Sequence, residues 1–310
     1  MSSSDRLSSN WALNTFAALL HFLQFIIAFS LPTKKDGWFN GNFPIYKQVP
    51  VWMNKTDAPV GGQTVSVDSD HVISLQNFEV SWLNVKYAIG SFFLLSAIFQ
   101  GYASFASISY EPGKRLDYTT WQIDRVSFQS WSSRLRYWEF SISASVMLLC
   151  IGAESGVVQV YTLVCMFALC AVTMLLGALA QLLFEMEVDN RIVSGSIWAW
   201  QYPYWLGWLT CVFAYAPILD SFYSAQKQSP LKAPAPVEAI IWVQFVLFTC
   251  FGLVQGLELS SASNSFGDVT AVNKIRKNAT FRFIILSFTA KTLLCWMVLV
   301  PLLVGPSPQK

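Results

Sequence analysis

A lysine at the middle of an apolar segment is the residue of this chain whose chemistry most needs explaining. Lys291 lies within residues 281–301, FRFIILSFTAKTLLCWMVLVP. About ten residues separate it from either end, roughly 15 Å at the helical rise, which is further than a lysine stem can reach. A charged lysine at the centre of a bilayer costs about 3 kcal/mol or more. Lys291 is therefore paired with an anion, lines a water path, or has condensed with a carbonyl compound as a Schiff base.

A carboxylate at a similar depth is the partner that such a cation requires. The carboxylates in or near the apolar segments are Glu139, Glu154, Glu185, Glu238 and Glu258. Only Glu139 lies deep, about nine residues into a helix that begins near Ser130. This depth matches that of Lys291 and predicts that the two residues pair. The alternative is an ion pair within one helix, with Arg136 three residues earlier.

The composition identifies the class of protein. Of its 310 residues 54% are hydrophobic and 12% are charged, which excludes a soluble globular domain and predicts an integral membrane protein. A net charge of +2 without an arginine-rich arm argues against a nucleic-acid partner. The six cysteines lie in apolar stretches without metal-ligand spacing, so we expect no metal site.

Seven apolar segments predict an all-α bundle of seven transmembrane helices, which we treat as a single domain over residues 1–310. The segments are 11–31, 82–106, 130–153, 158–184, 196–218, 237–258 and 281–303. The long connection 32–81 contains glycine turns and an alternating stretch at 63–68. These features predict a small β-hairpin that covers one mouth of the bundle.

The distribution of lysine and arginine predicts the orientation in the membrane. With a cytoplasmic N-terminus, nine basic residues fall on the inner side and seven on the outer side. Residues 32–81 are then an extracellular loop. Seven spans place the C-terminus outside the cell.

Motifs on two separate helices resemble those of a known family. Residues 136–147, RYWEFSISASVM, and residues 286–296, LSFTAKTLLCW, look like the third and seventh helices of heliorhodopsins. Shorter matches occur at 20–24, 95–99 and 251–255. The resemblance therefore extends over most of the predicted spans but does not cover the long first loop in detail.

The resemblance implies a light-absorbing cofactor and its binding residues. It implies all-trans retinal bound to Lys291 as a protonated Schiff base, with Glu139 as the counterion. It also implies a homodimer and an inner N-terminus, and it places Ser96 and Ser287 near the Schiff base. The alternative for either serine is a hydrogen bond to a carbonyl of its own helix.

Further residues of the retinal pocket follow from the same resemblance. Phe248 and Trp296 are the main candidates, and Ser143, Met147 and Thr173 are further ones, with Trp205 as a weaker candidate. The alternative for each aromatic residue is ordinary packing or an interfacial position, since the chain has 13 tryptophans.

The candidates for proton transfer depart from the family pattern. His21 matches the histidine of the first helix, whereas Gln100 stands where many members carry a second histidine. Phe140 and Cys170 replace a frequent tyrosine and a frequent asparagine. His21 is then the imidazole available to accept a proton, although a lone histidine on an apolar helix is often only a core residue.

The sequence favours a light sensor over a pump. Light-driven proton pumps resemble one another in carrying carboxylates eleven residues after the counterion and four before the lysine. Here these positions hold Cys150 and Ser287. We therefore expect a slow photocycle and a signal passed through the inner face to a cytoplasmic partner that the sequence does not identify.

Three other function classes are compatible with a membrane protein of this kind to different degrees. A light-gated proton channel is the alternative, with Glu258 and Glu154 on an access path, although both carboxylates are also explained by solvation at the membrane interface. A G-protein-coupled receptor is disfavoured because no Asn-Pro-x-x-Tyr follows Lys291. An enzyme is disfavoured because no set of nucleophile, base and orienting residue is evident outside the bundle.

Overall fold

The computed structural model describes residues 3–30, 42–54, 56, 64–66, 71–109, 125–188, 199–228, 235–265 and 269–304. Within these ranges the chain forms seven long helices. They are α1 Ser3–Ser30, α2 Val85–Ser109, α3 Arg125–Glu154, α4 Val160–Val188, α5 Gln201–Gln228, α6 Ala235–Ser263 and α7 Val269–Val304. We call the side on which α1 begins the inner side and the opposite side the outer side.

Six of these helices are long and apolar enough to cross a membrane. Their apolar stretches are Ala12–Ser30, Val85–Phe105, Val160–Met186, Gln201–Gln228, Val237–Ser263 and Lys274–Val298. The exception, α3, carries Arg136, Glu139 and a series of serines. Its polarity is explained by its position, since its serines Ser141, Ser143 and Ser145 are buried inside the protein. The seven-helix bundle predicted from the sequence is confirmed.

The helix boundaries differ from the predicted spans, most of all at the start of α7 and the end of α5. α7 begins at Val269, before the apolar segment at 281, because it continues through a polar stretch containing Lys274, Arg276 and Lys277. α5 extends to Gln228, although the predicted span ends at residue 218. Hydropathy marks only the part of a helix that lies in lipid, so polar extensions of a helix are not detected.

The long first loop forms a three-stranded antiparallel sheet, larger than the hairpin predicted. The strands are β1 Asn42–Asn54, β2 Thr64–Ser66 and β3 His71–Asn84, in the order β1-β3-β2. β3 continues directly into α2, whose first turn is capped by Asn84 Oδ1 accepting a hydrogen bond from the Tyr87 amide at 3.1 Å. Because the strand extends to Asn84, α2 begins at Val85 and not at residue 82 as predicted.

The sheet is also joined to the turn between α3 and α4. α3 ends with Gly156 at a φ of 91°, a left-handed conformation that glycine adopts without steric cost. The Val157 amide donates to the Gly152 carbonyl at 2.8 Å, which completes a Schellman motif. Beyond it the Tyr46 amide of β1 donates to the Val158 carbonyl at 2.9 Å. The sheet is therefore attached to the outer ends of both α2 and α3.

The packed interior has three apolar clusters at different depths. The largest occupies the middle and outer parts of the bundle and includes Phe92, Leu148, Met166, Ile218 and Leu294. A second, smaller cluster lies closer to the inner side and contains Phe140, Ala279 and Phe283, with Phe251 packed against it. The third lies near the inner ends of α4, α6 and α7 and includes Phe184, Trp200 and Leu259.

Candidate functional site

Lys291, Glu139 and Ser96 meet inside the bundle. Lys291 is 2% exposed, Glu139 is 3% exposed and Ser96 is fully buried. Lys291 Nζ donates to Glu139 Oε1 and also to Ser96 Oγ. Ser96 Oγ lies 2.7 Å from Glu139 Oε1 and 2.9 Å from the Phe92 carbonyl oxygen. The ammonium therefore has an anion and a hydroxyl as partners in a region without solvent access.

The alternative pair between Glu139 and Arg136 is not formed. Arg136 directs its guanidinium over the ring of Phe283, with its central carbon 4.1 Å from the ring centroid. Glu139, one turn later on α3, faces α7 and α2 instead. In the low-dielectric interior the Lys291 ammonium is thus stabilised by the Glu139 carboxylate, and the Arg136 guanidinium by the ring of Phe283.

Polar ties from neighbouring helices fix the backbone of α7 beside Lys291. Gln244 on α6 is fully buried, and its Nε2 donates to the Ala290 carbonyl at 3.2 Å. Gln24 on α1 donates to Thr292 Oγ1 at 2.9 Å. The residues on either side of Lys291 are thus held by two different helices, which limits the positions that the lysine amine can take.

An apolar cavity of about 330 Å³ starts at Lys291 and extends between α3, α6 and α7. Its lining consists of Phe140, Ser143, Ala144, Met147, Met174, Gln244, Phe248, Phe251, Ser287, Ala290 and Lys291. A second cavity of about 580 Å³ shares four of these residues and continues toward α4 and α5. The shared residues are Phe140, Met174, Phe248 and Phe251. The two cavities therefore adjoin along a shared wall, and Lys291 lines the first of them.

Three buried polar atoms along the first cavity have no hydrogen-bond partner in the described structure. They are Ser143 Oγ, Ser287 Oγ and Gln244 Oε1. An unpaired buried polar group costs about 1–3 kcal/mol, so such groups usually mark a ligand or an ordered water. Their position suggests that this cavity is shaped for a mostly apolar molecule with a polar end near Lys291.

A third cavity, with several polar residues in its lining, lies on the inner side of Glu139. Its volume is about 540 Å³, and its polar lining residues are Asn14, Gln100, Arg136, Glu139, Thr280 and Ser287. Gln100 is 6% exposed, and its Oε1 has no hydrogen-bond partner in the described structure. Glu139 therefore stands between an apolar space and a polar one.

His21 is buried close to the ion pair but does not line any of these three cavities. Its Nδ1 lies 3.1 Å from Gln24 Oε1, and its Nε2 has no hydrogen-bond partner in the described part of the chain. The rings of Phe93 and Phe288 flank it, each at a centroid distance of 5.5 Å. His21 remains a candidate for proton exchange because one of its nitrogen atoms is not engaged.

The other predicted pocket residues divide into two groups. Ser143, Met147, Ser287 and Phe248 line the cavity that contains Lys291. Thr173 lines the adjoining larger cavity, and its Oγ1 donates to the Leu169 carbonyl at 2.8 Å.

The structure does not bring Trp296 or Trp205 to either cavity. Trp296 is 40% exposed, because five residues along a helix rotate it about 140° away from the face of Lys291. Trp205 is 64% exposed on the outer surface of α5. Both indoles therefore occupy positions suited to lipid or interface contact. The assignment of Trp296 to the pocket therefore stays a prediction, which this position does not support.

Glu258 also lies away from Lys291. It is buried near the inner end of α6, where the charges of Arg136, Arg276 and Glu185 act on it. It therefore belongs to a separate group of charged residues on the inner side.

Gln244 is the polar residue of the first cavity that was not predicted from the sequence. A single glutamine in an apolar span is a detectable signal, since burying an amide is costly unless it is hydrogen-bonded. Its significance depends on which face of α6 meets α7, and this is known only from the structure.

The comparison with known proteins agrees with this geometry. The profile of the heliorhodopsin family matches residues 11–303, nearly the whole chain. No curated protein was found to be similar to it. With seven helices and a buried lysine and glutamate at the end of an apolar cavity, the chain belongs to the heliorhodopsin family of retinal-binding, rhodopsin-type membrane proteins.

Proposed function

We propose that this protein is a light sensor that carries all-trans retinal on Lys291 as a protonated Schiff base. The observation that supports this proposal best is the position of Lys291 at the end of an apolar cavity, with Glu139 and Ser96 at its amine. Such an amine can condense with an aldehyde, and the adjacent carboxylate stabilises the resulting cation.

The residues present are suited to retinal. The chromophore needs an apolar space for its polyene, and two adjoining cavities lined mainly by apolar side chains begin at Lys291. Their shared wall of Phe140, Met174, Phe248 and Phe251 consists of aromatic and thioether side chains. The polar atoms of the first cavity belong to Ser143, Gln244 and Ser287, and the last two flank the attachment point.

The protein residues divide the work around the chromophore. Bound retinal supplies light absorption and a change of shape on isomerisation. Glu139 provides the negative charge that keeps the linkage protonated, and Ser96 binds Glu139 and holds its carboxylate in place. Gln244 binds the Ala290 carbonyl and Gln24 binds the Thr292 side chain, so that a change of shape at Lys291 is transmitted to α6 and α1.

A sensor is favoured over a pump because a relay on the outer side is missing. Eleven residues after Glu139, Cys150 is a fully buried thiol in an apolar cluster. Ser287 takes the place of a second carboxylate one turn before Lys291. Without a donor group a displaced proton returns slowly, and a long-lived light state suits a signalling role. We propose no enzymatic activity.

The proposal includes an orientation and partners. Basic residues place the N-terminus in the cytoplasm and the C-terminus outside the cell. The sheet is then extracellular, and the inner ends of the helices face a cytoplasmic signalling partner. The apolar faces of α1 and α5 that point away from the bundle suit contact with lipid or with a second copy in a homodimer. Leu19 and Val212 on these faces are more than half exposed.

Reconstitution of the purified protein with all-trans retinal tests the attachment. We expect visible absorption in the wild type and in Lys86→Ala, which removes the other buried lysine of the described chain. We expect none in Lys291→Ala. A coloured Lys291→Ala variant would show that retinal is not attached at this residue.

A light-gated proton path is a second candidate, supported by the polar cavity of about 540 Å³ beside Glu139. Under this hypothesis illumination of voltage-clamped cells produces a current that follows the proton gradient and that weakens in Glu258→Gln. The absence of a photocurrent in cells that contain the coloured protein would favour the sensor alone.

A further inference from the structure

Five polar side chains from four helices come together near the inner end of the bundle. We call them the inner charge cluster: Arg136 from α3, Gln181 and Glu185 from α4, Glu258 from α6 and Arg276 from α7. Four of them are nearly inaccessible, with exposures of 3% for Gln181, 7% for Glu185, 6% for Glu258 and 8% for Arg276. The cluster is outside the cavity that contains Lys291 and has no part in holding the chromophore.

The cluster combines groups of opposite charge type. It contains two guanidinium groups and two carboxyl groups, and Glu258 lies within electrostatic reach of Arg136, Arg276 and Glu185. Glu185 Oε1 also accepts a hydrogen bond from Gln181 Nε2 at 3.3 Å. Buried charges are tolerated when they are paired and hydrogen-bonded, so mutual compensation explains why the cluster can exist in an apolar bundle.

Several polar atoms of the cluster nevertheless lack a direct protein partner in the described structure. The donors are Arg136 Nε, Arg276 Nε and Arg276 Nη2, and the acceptors are Glu258 Oε2 and Gln181 Oε1. Each such atom costs about 1–3 kcal/mol if it stays unpaired. Donors and acceptors in one buried group are the setting in which proteins hold ordered water, with about three hydrogen bonds per molecule.

Apolar side chains lie next to the cluster. Phe140, Phe251 and Phe283 form the layer between the cluster and Lys291. At the depth of the cluster itself, Phe184 packs beside Arg276, whose guanidinium carbon lies 5.8 Å from its ring centroid. The cluster is therefore buried within the bundle and is not simply a solvated surface at the membrane interface.

Arg136 connects this compartment with the polar cavity beside Glu139. Its side chain lines that cavity together with Glu139 and Gln100. The same guanidinium lies 4.1 Å from the ring centroid of Phe283, in the apolar layer, and its charge acts on Glu258. Arg136 thus borders both polar regions at the point where the apolar layer separates them.

From this geometry we infer that the inner charge cluster is a hydrated proton-binding site, and that Glu258 is the group that holds the proton in the light state. This inference rests on the proposed function. A proton given up at the Lys291–Glu139 pair passes through the polar cavity and past Arg136, and an O–H bond forms on Glu258. The electron pair of the broken bond stays on the releasing atom, so the transfer requires neither an oxidant nor a reductant. In the dark the proton returns by the same route.

Light-minus-dark infrared difference spectroscopy of the retinal-reconstituted protein tests the inference. In the wild type we expect a carboxylic acid C=O band to appear in light and to shift in D2O. The band should be absent in Glu258→Gln and unchanged in Glu238→Gln, which alters an exposed glutamate at the outer end of the same helix. The dark spectrum of Glu258→Gln should return at a rate altered several-fold.

The outcomes separate this inference from the proposed function. A coloured wild type whose C=O band persists in Glu258→Gln, or that shows no such band, overturns the inference and leaves the light sensor intact. A colourless wild type overturns both. If Glu258→Gln does not fold, Glu258→Asp provides the test, because it keeps the carboxylate and moves the band without abolishing it; a band of unchanged position would then refute the assignment.

Discussion

Removal of the Glu139 charge should destabilise the retinal-free protein through Lys291. In Glu139→Gln the buried ammonium keeps Ser96 as a partner but loses its anion. If the ammonium stays charged, the cost is about 3–5 kcal/mol, as for other broken buried pairs. If Lys291 instead loses its proton at pH 7, the cost from an ordinary lysine pKa of about 10.4 is roughly 4.6 kcal/mol. Both routes predict a similar loss.

A double-mutant cycle isolates this interaction. Glu139→Gln combined with Lys291→Met removes both charges, so the double variant should recover most of the stability lost in the single variant. We expect a coupling energy of about 3–5 kcal/mol between the two positions. The free energy of unfolding is measured on retinal-free protein by reversible denaturation in mixed micelles, with Glu238→Gln as the exposed control.

The pH dependence gives a second readout with a definite sign. When the folded variant holds neutral Lys291, the unfolded state binds one more proton, so the stability of Glu139→Gln rises with pH. The cost of the lost proton falls from roughly 4.6 kcal/mol at pH 7 to about 1.9 kcal/mol at pH 9. In the wild type the adjacent Glu139 carboxylate favours the ammonium, so the stability of the wild type should rise less over this range. A coupling energy below about 1 kcal/mol would refute the idea that a buried, directly bonded pair exists.

Three further substitutions test other parts of the structure. Ser96→Ala removes a hydrogen-bond donor to the counterion and should shift the visible absorption of the reconstituted protein. Ser91→Ala, on the exposed face of α2, should not shift it. Equal spectra for Ser96→Ala and the wild type would show that Ser96 has no role at the chromophore. Gln244→Met should change the C=N stretch in Raman spectra, because Gln244 lies beside Lys291. Gln255→Met cuts a comparable tie from α6 to α4 and lines the cavity farther from Lys291, so it should leave the C=N stretch in place. An unchanged C=N stretch in the first variant would contradict the position of Gln244 beside Lys291. Gly156→Ala should lower the free energy of unfolding by about 1 kcal/mol, because the left-handed conformation after α3 is sterically unfavourable for alanine. An unchanged denaturation midpoint would argue against that conformation.

The sequence predicted well those properties that depend only on distance along a helix axis. The depth of Lys291 and of Glu139 follows from a fixed rise per residue, so their meeting could be predicted before the structure was known. The seven spans were recognisable for the same reason, because a bilayer requires a nearly constant apolar length.

Properties that depend on rotation about a helix axis could not be obtained in this way. Trp296 and Gln244 are both placed by the face that their helices turn toward the interior, and apolar spans with nearly uniform hydrophobicity carry little information about that face. The inner charge cluster was likewise unforeseen, since its members are far apart in sequence and Glu258 by itself looks like an interfacial residue. The alternating stretch at 63–68 does contain β2, but the two longer strands, β1 and β3, were not predicted, so the sheet is larger than the hairpin that the sequence indicated.

The attachment of the sheet has a mechanical consequence. Strand β3 runs into α2 without an intervening loop, and β1 is hydrogen-bonded to the turn that follows α3. These two helices, which carry Ser96 and Glu139, are thereby braced against each other at their outer ends. Because the outer ends of α2 and α3 are held by the sheet, we expect strain from the centre of the bundle to move mainly their inner ends, at Ser109 and Arg125.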